Sequence, residues 1–434
     1  MTTSHASGPT AVPLLEKTIG AALRRTVERF GDREALVVRE QGYRATYREL
    51  SDEVALAARG LLARGVRPGD RVGLWAPNRY EWIVIQYATA RLGAILVTIN
   101  PAYKAAELQY ALTKTGVSLL VLARGFRQAD YAAMVDEVRA DCPLLRETVV
   151  LEDAWEDLLA DGEDVAEADL EAIEATLDAG DPINVQFTSG TTGAPKGATL
   201  SHRNILNNGY FTGRILRYTA DDRACVPVPF YHCFGMVLAN LACLTHGACL
   251  AVPGASFDPL ATLRMIEEER CTSLYGVPTM FIAQLEHPRI GDFDLSSLRT
   301  GIMAGAPCPV EVMSQVRSKL HMDEVTICYG MTETSPVSFQ TAPDDPVDKR
   351  VSTVGRIHPH VEAKVIDPDN GRIVPRGQPG ELCTRGYVVM LGYWQNQEAT
   401  AAAIDQAGWM HTGDLATLDA DGYANIVGLS LIHI

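Results

Sequence analysis

Residues 188–197 read Thr-Ser-Gly-Thr-Thr-Gly-Ala-Pro-Lys-Gly, placing four hydroxyls, three glycines and one lysine in a single short run. These residue types suit an anion. Gly190 and Gly193 let the backbone expose consecutive N–H groups, Thr188, Ser189, Thr191 and Thr192 add donors, and Lys196 adds a point charge. The predicted chemistry is a phosphate cradle. A plain turn between strands draws on the same residues and is the structural alternative, but the crowding of donors around one lysine favours the cradle. The run is not a P-loop, because Pro195 and Gly197 flank Lys196 where that motif needs Gly before and Ser or Thr after.

Five other stretches carry residues suited to chemistry. Tyr329-Gly-Met-Thr-Glu333 follows an apolar strand, the place where a doubly wound sheet binds its ligand. Ala304-Gly-Ala-Pro307 also follows an apolar strand, and its small residues admit close approach of a ligand to the backbone. Trp409-Met-His-Thr-Gly-Asp414 ends in an acceptor carboxylate. Pro229-Phe-Tyr-His-Cys-Phe-Gly235 sets His232 in an aromatic loop, and Tyr275-Gly-Val-Pro-Thr-Met280 supplies a second apolar wall. A packed core histidine is the alternative for His232, and Cys233 beside it reads as a small core residue rather than a nucleophile.

Taken in order, these stretches resemble the adenylate-forming (AMP-binding) superfamily, whose members include acyl-CoA synthetases, aryl-CoA ligases, luciferases and peptide-synthetase adenylation domains. The matches run from the helix at Thr46 to Gly428. Asn100-Pro-Ala-Tyr-Lys104, Tyr231-His-Cys-Phe-Gly235 and Gly305-Ala-Pro-Cys308 are most similar to the fatty-acid branch, above all medium-chain acyl-CoA ligases. The resemblance implies residue roles. Thr188, Ser189, Gly190, Thr191, Thr192, Gly193 and Lys196 would hold the triphosphate of ATP, while Gly305, Ala306, Pro307, Tyr329 and Gly330 would hold the adenine side. Thr332 would meet the α-phosphate or the acyl carboxylate, Glu333 would carry Mg2+, and Asp414 would accept from the ribose hydroxyls. His232, Gly235, Val277, Gly330 and Met331 would line the acid site. Gly380–Gly386 and Met390–Trp394 also match a superfamily segment and read as structural.

The implied reaction has two steps. A carboxylate attacks the α-phosphate of ATP to give acyl-adenylate and pyrophosphate, and CoA as second substrate then displaces AMP. Catalysis rests on Lys196, Thr332 and Glu333 through charge neutralisation, with no side-chain nucleophile. Beyond Gly428 the family pattern calls for an arginine, a polar hinge and a small C-terminal domain with a catalytic lysine. The chain reads Leu429-Ser-Leu-Ile-His-Ile434 instead, so residues 429–434 are expected to be a non-family tail, the C-terminal domain absent and turnover impaired. Two rival classes stand beside this reading: another adenylating enzyme, such as an aryl-CoA ligase or a peptide-synthetase adenylation domain, and a non-catalytic nucleotide-binding remnant.

The elements that must position these residues are legible in the hydrophobic periodicity. Thr46-Tyr-Arg-Glu49 opens a helix with a capping box, and Leu50, Val54, Leu61 and Leu62 continue it to Gly65. Strands at Arg71–Trp75, 94–97, 117–122 and 148–151 alternate with helices near 79–92, 105–114 and 131–139, the rhythm of a parallel sheet. The acidic stretch 152–181 is expected on surface helices. Further strands at 225–230, 248–252, Thr300–Ala304 and 325–328 suggest a second α/β sheet, and 361–366, 381–385 and 423–427 a β-rich subdomain. The fold class is therefore α/β, with two parallel-rich α/β subdomains and a smaller β-rich one. Residues 1–12 are expected to be a flexible tail, and 13–428 the AMP-binding domain.

Composition narrows the rest. The 434 residues suffice for more than one core. Acidic residues outnumber basic ones 54 to 38, for a net charge of -16, which disfavours a nucleic-acid partner held by a basic surface. Nine cysteines without a C-x-x-C pair fit reduced, buried thiols and a cytoplasmic location. No signal peptide or transmembrane segment is read, and a homo-oligomer is compatible with the sequence, which leaves oligomeric state open.

Overall fold

The computed structural model describes residues 3–188 and 194–429. Three large sheets organise them. A seven-stranded sheet has the order Gly392–Tyr393, Lys196–Ser201, Pro182–Thr188, Ile95–Thr98, Arg71–Trp75, Leu119–Leu122 and Glu147–Val150. It is parallel from Pro182–Thr188 onward and antiparallel at the other edge. A nine-stranded sheet runs from Arg356–Ile357 through Val337–Gln340, Glu324–Gly330, Thr300–Ala304, Ser273–Gly276, Arg223–Cys225, Cys249–Val252 and Glu34–Val38 to Tyr43–Thr46. The third is antiparallel, in the order His5–Ser7, Val361–Ile366, Gly380–Gly386, Met410–Leu418 and Ala424–Leu429.

The capped helix forms over Tyr47–Ala63. Thr46 accepts from Glu49 N and Glu49 reaches back to Thr46 N, the two halves of the capping box. Its buried residues Leu50, Val54, Ala57, Ala58 and Leu61 share one face, as the three- and four-residue spacing dictates. Trp75 ends an interior strand of the first sheet. It stacks on Tyr131 at a centroid distance of 3.7 Å and donates from Nε1 to Asn100 O at 3.0 Å, while Tyr131 donates to Pro101 O at 2.6 Å. The Asn100–Lys104 segment is thus tied to a buried aromatic pair whose side chains each contribute on the order of 1.5–3 kcal/mol by burial.

Three expectations need correction. The parallel sheets are not laid down one after the other: Glu34–Val38 and Tyr43–Thr46 join the second sheet, whereas Pro182–Thr188, Lys196–Ser201 and Gly392–Tyr393 return to the first. The strand expected over 225–230 is Arg223–Cys225, and the following apolar residues enter a buried loop, because apolar runs are equally at home there. The N-terminal stretch is not a free tail over its described part, since His5–Ser7 pairs antiparallel with Val361–Ile366 and covers that sheet edge. The acidic stretch forms the expected surface helices, Leu151–Glu163 and Glu167–Glu174, with one of its acids buried. Glu174 accepts from Arg91 Nε at 3.0 Å and Nη2 at 3.1 Å and lies 2.5 Å from Arg24 Nη1, with the Arg91 and Glu174 side chains each 5% exposed. The two arginines make that burial tolerable.

All nine cysteines are unpaired, eight of them buried. No described helix is long and apolar enough to cross a membrane.

Candidate functional site

Thr188 and Lys196 are register partners across the antiparallel pair Pro182–Thr188 and Lys196–Ser201, so sheet pairing fixes both ends of the cradle run. Ser189, Gly190, Thr191, Thr192 and Gly193 lie outside the described residues, as do residues 430–434. The Thr188 hydroxyl lies 3.2 Å from Glu333 Oε1 and donates to it. A bond between residues so far apart in sequence joins the cradle to the end of the second sheet.

Glu333 lies in the short turn Thr332–Thr334, directly after the strand Glu324–Gly330. It is 4% exposed, and among the described residues its carboxylate is held by hydrogen bonds from Thr188 and Tyr393 and by no ion pair. A buried carboxylate without a cation is costly unless a ligand compensates it, so this side chain fits a hard divalent cation such as Mg2+. Its Oε1 also accepts from the Tyr393 hydroxyl at 2.8 Å. Burial, with Glu333 adding to it, raises the Tyr393 phenol far above its ordinary range, which keeps it a donor.

The turn itself is built by close packing. A side chain at Gly330 would put its Cβ 1.7 Å from Pro336 O, so glycine is required there by the backbone. Met390 N donates to Glu333 O at 2.9 Å, and the Ser335 hydroxyl to Val388 O at 2.5 Å. The segment around 386–394, read from sequence as structural, therefore wraps the site and supplies Tyr393. Sequence reasoning missed Tyr393 because its partners Lys196 and Glu333 are remote along the chain. Its position within a stretch matching the superfamily was the available signal.

Tyr329 and Asp414 also meet, the phenol donating to Asp414 Oδ2 at 2.5 Å. Asp414 stands on the strand Met410–Leu418, whose pairing with Gly380–Gly386 slips register between Glu381 and Cys383. Burial raises the Asp414 carboxyl and the Tyr329 bond opposes that rise. Gly305, Ala306 and Pro307 are exposed beyond the strand Thr300–Ala304, with Gly305 at φ 84°, and a Cβ on Gly305 would lie 3.2 Å from Val277 Cγ1. Val277, half-buried, thus adjoins the Gly305 loop.

The aromatic loop is positioned by the strand Pro182–Thr188, since Cys233 N donates to Gln186 Oε1 at 3.2 Å. His232 Nδ1 accepts from Phe234 N at 3.1 Å, which leaves Nε2 to carry the proton of the neutral ring. His232 is solvent-exposed, yet the protein on its other side holds the imidazole below its ordinary range. Cys233 Sγ lies 3.9 Å from Thr332 Oγ1, bringing the loop against the Thr332 turn, and burial pushes the thiol up to about 12, so it is no nucleophile at neutral pH. Gly235 packs against backbone, where an added Cβ would sit 2.5 Å from Pro229 O, so its role here is close packing. Met331, half-buried, packs against the main core.

Beside this loop opens a cavity of about 720 Å³, lined among others by Pro229, Tyr231, Met280, Tyr103, Phe126 and Lys104. Its size suits a drug-sized organic ligand. A second grouping, Glu381, Cys383 and His411, has donor atoms within 4.8 Å of one another. There His411 Nδ1 lies 3.0 Å from Glu381 Oε2 and Nε2 lies 3.8 Å from Asp405, while Lys364 approaches the same Asp405 at 3.9 Å. It is a charge network across the paired strands Gly380–Gly386 and Met410–Leu418.

The profile of the AMP-binding enzyme family matches residues 23–394. The chain is 44% identical to the mitochondrial medium-chain acyl-CoA ligase ACSF2 of Danio rerio over 99% of its own length and 74% of that protein. It is 43% identical to the acyl-CoA ligase SID4 of Ajellomyces capsulatus, over 97% of this chain and 74% of that one. The N-terminal domain of FACL13 from Mycobacterium tuberculosis superposes with a TM-score of 0.84 at 26% identity, covering 95% of this chain and all of that domain. A fold shared with adenylate-forming acyl-CoA ligases, a family match across most of the sequence and relatives of this identity make the chain a member of the AMP-binding enzyme family.

Proposed function

We propose that this chain activates a fatty carboxylic acid with ATP, giving an acyl-adenylate and pyrophosphate, and that the thiol of CoA then displaces AMP to form the thioester. The reaction class is that of an AMP-forming acid–thiol ligase. One observation carries it: a buried glutamate without an ion-pair partner among the described residues, bonded to the first residue of the cradle run. A fatty acid as substrate is supported by the names of the curated relatives and by the largely apolar cavity beside the His232 loop.

Within this reading Lys196 and the hydroxyls of the cradle bind the triphosphate, including Ser189, Thr191 and Thr192, whose backbone shares the work with Gly190 and Gly193. Glu333 is the ligand for Mg2+, which when bound neutralises phosphate charge against the incoming carboxylate. Thr332 and the neutral Nε2–H of His232 are donors for the acyl carboxylate or the α-phosphate. Tyr329, Gly330 and the exposed Gly305–Pro307 loop take the adenine side, and Asp414 accepts from the ribose. Val277, Gly235 and Met331 shape the acid site.

Residues 13–428 act as the nucleotide- and acid-binding unit in this proposal, and residues from 429 lie outside it. We place the enzyme in the cytoplasm on the strength of its unpaired thiols, although the ACSF2 relatives are named mitochondrial; subcellular fractionation decides between the two.

ATP-dependent thioester formation across aliphatic acids of increasing length, aryl acids and amino acids tests the function, with pyrophosphate exchange followed in parallel. The expected outcome is the highest kcat/KM for medium-chain acids. Preference for an aryl or amino acid would move the enzyme to another adenylating class. Nucleotide binding without exchange for any acid would leave a non-catalytic binding protein.

A further inference from the structure

We propose that Tyr393 is a positioning residue that fixes the Glu333 carboxylate and the Lys196 ammonium in one arrangement, so that the metal-binding and phosphate-binding charges are set together. This rests on the roles proposed above for those two residues. Tyr393 touches both at once: its hydroxyl donates to Glu333 Oε1 at 2.8 Å, and its ring centroid lies 5.1 Å from Lys196 Nζ.

The bond to Glu333 has a directional consequence. Oε1 receives two donors, Tyr393 at 2.8 Å and Thr188 at 3.2 Å, whereas among the described residues no donor reaches Oε2. Two donors on one oxygen restrict rotation of the carboxylate far more than one, and they leave the other oxygen as the ligand atom for a hard cation. On the other side, an aromatic face attracts an ammonium without neutralising it. Lys196 is therefore steadied while it keeps its charge for phosphate.

The backbone under Tyr393 is itself held. Tyr393 pairs with Ala198 across the strand that Lys196 begins, its N–H donates to Thr400 Oγ1 at 2.9 Å, and Trp394 N donates to Gly197 O at 2.7 Å. Ring and hydroxyl are thus placed by sheet pairing. Only a tyrosine offers both contacts: phenylalanine keeps the face under Lys196 and drops the donor, and leucine drops both.

Calorimetric binding of a non-hydrolysable ATP analogue, with and without Mg2+, reads the two contacts separately from turnover. Tyr393→Phe is expected to bind the metal-free analogue within about twofold of wild type and to lose about tenfold of the Mg2+-dependent gain, the loss typical of a hydrogen bond to a charged group. Tyr393→Leu is expected to weaken metal-free binding as well. The adenylation kcat falls with the Mg2+ effect while KM for the acid stays put, and Tm reports that the variants are folded. In the double variant Tyr393→Phe/Glu333→Gln the Mg2+ effect should be no smaller than in Glu333→Gln alone, because the tyrosine acts through the glutamate. Additive losses, or a Tyr393→Phe protein that keeps the whole Mg2+ gain while Glu333→Gln loses it, would overturn the positioning role and spare the metal assignment. A full Mg2+ gain in Glu333→Gln would overturn the metal assignment and this inference with it.

Discussion

The Tyr329 hydroxyl donates to Asp414 Oδ2 at 2.5 Å, linking the end of a parallel strand to an antiparallel strand of a different sheet. The carboxyl it meets is raised above its ordinary 3.8 by burial and pulled back by this bond. In the proposed role Asp414 accepts from ribose hydroxyls as the carboxylate, so ATP affinity should fall as pH drops through that raised pKa. Tyr329→Phe removes the lowering contribution and should move the loss to higher pH. Calorimetric ATP affinity across the acid range checks this, and an acid limb unmoved by the substitution would count against the ribose-side assignment.

Lys196→Ala and Glu333→Gln should each lower kcat/KM for Mg-ATP by about 10²-fold or more, the usual loss when one preorganised charge is removed from an oxyanion-stabilising site. The KM for the acid should change much less. Steady-state kinetics with ATP varied is the measurement, and unchanged ATP kinetics in both variants would sink the site assignment.

Glu174 is expected to matter for stability although it lies far from chemistry in the sequence. Glu174→Ala leaves the buried Arg91 guanidinium uncompensated and should cost about 3–5 kcal/mol in denaturant unfolding. A loss below about 1 kcal/mol, the range of an exposed ion pair, would show that solvent already screens the cluster.

His411 gives stability a pH dependence of known sign. Its hydrogen bond to Glu381, with the charges of Glu381 and Asp405, raises the imidazole above its ordinary 6.5. The folded state therefore binds this proton more tightly than the unfolded chain. The stabilisation is complete below pH 6.5 and is lost as pH rises through the raised value. His411→Gln should flatten that decline in a Tm-versus-pH profile, and an identical slope in the variant would refute the contribution.

Much of this was legible along the chain because it is local. The strands Arg71–Trp75 and Thr300–Ala304 were bounded by turn residues and formed over those same residues. The capping box at Thr46 formed because its partners are three residues apart. Less local features escaped. The apolar run after Cys225 has no periodicity to separate a strand from a buried loop, and nothing in residues 5–7 announces that the edge of a distant sheet needs covering. Cys233 was legible as a core residue from its apolar neighbours, and its burial agrees.

By itself the sequence determined the α/β class, the family and the residue types of the candidate site, because periodicity and short motifs are carried by neighbouring residues. Tertiary structure alone decided that Thr188 and Tyr393 converge on one oxygen of Glu333, that Tyr393 also lies by Lys196, and that Tyr329 bonds Asp414. Those contacts join residues separated by long stretches of chain. Which side chains meet across such distances follows from the order and register of strands in three sheets, and no local propensity encodes that order.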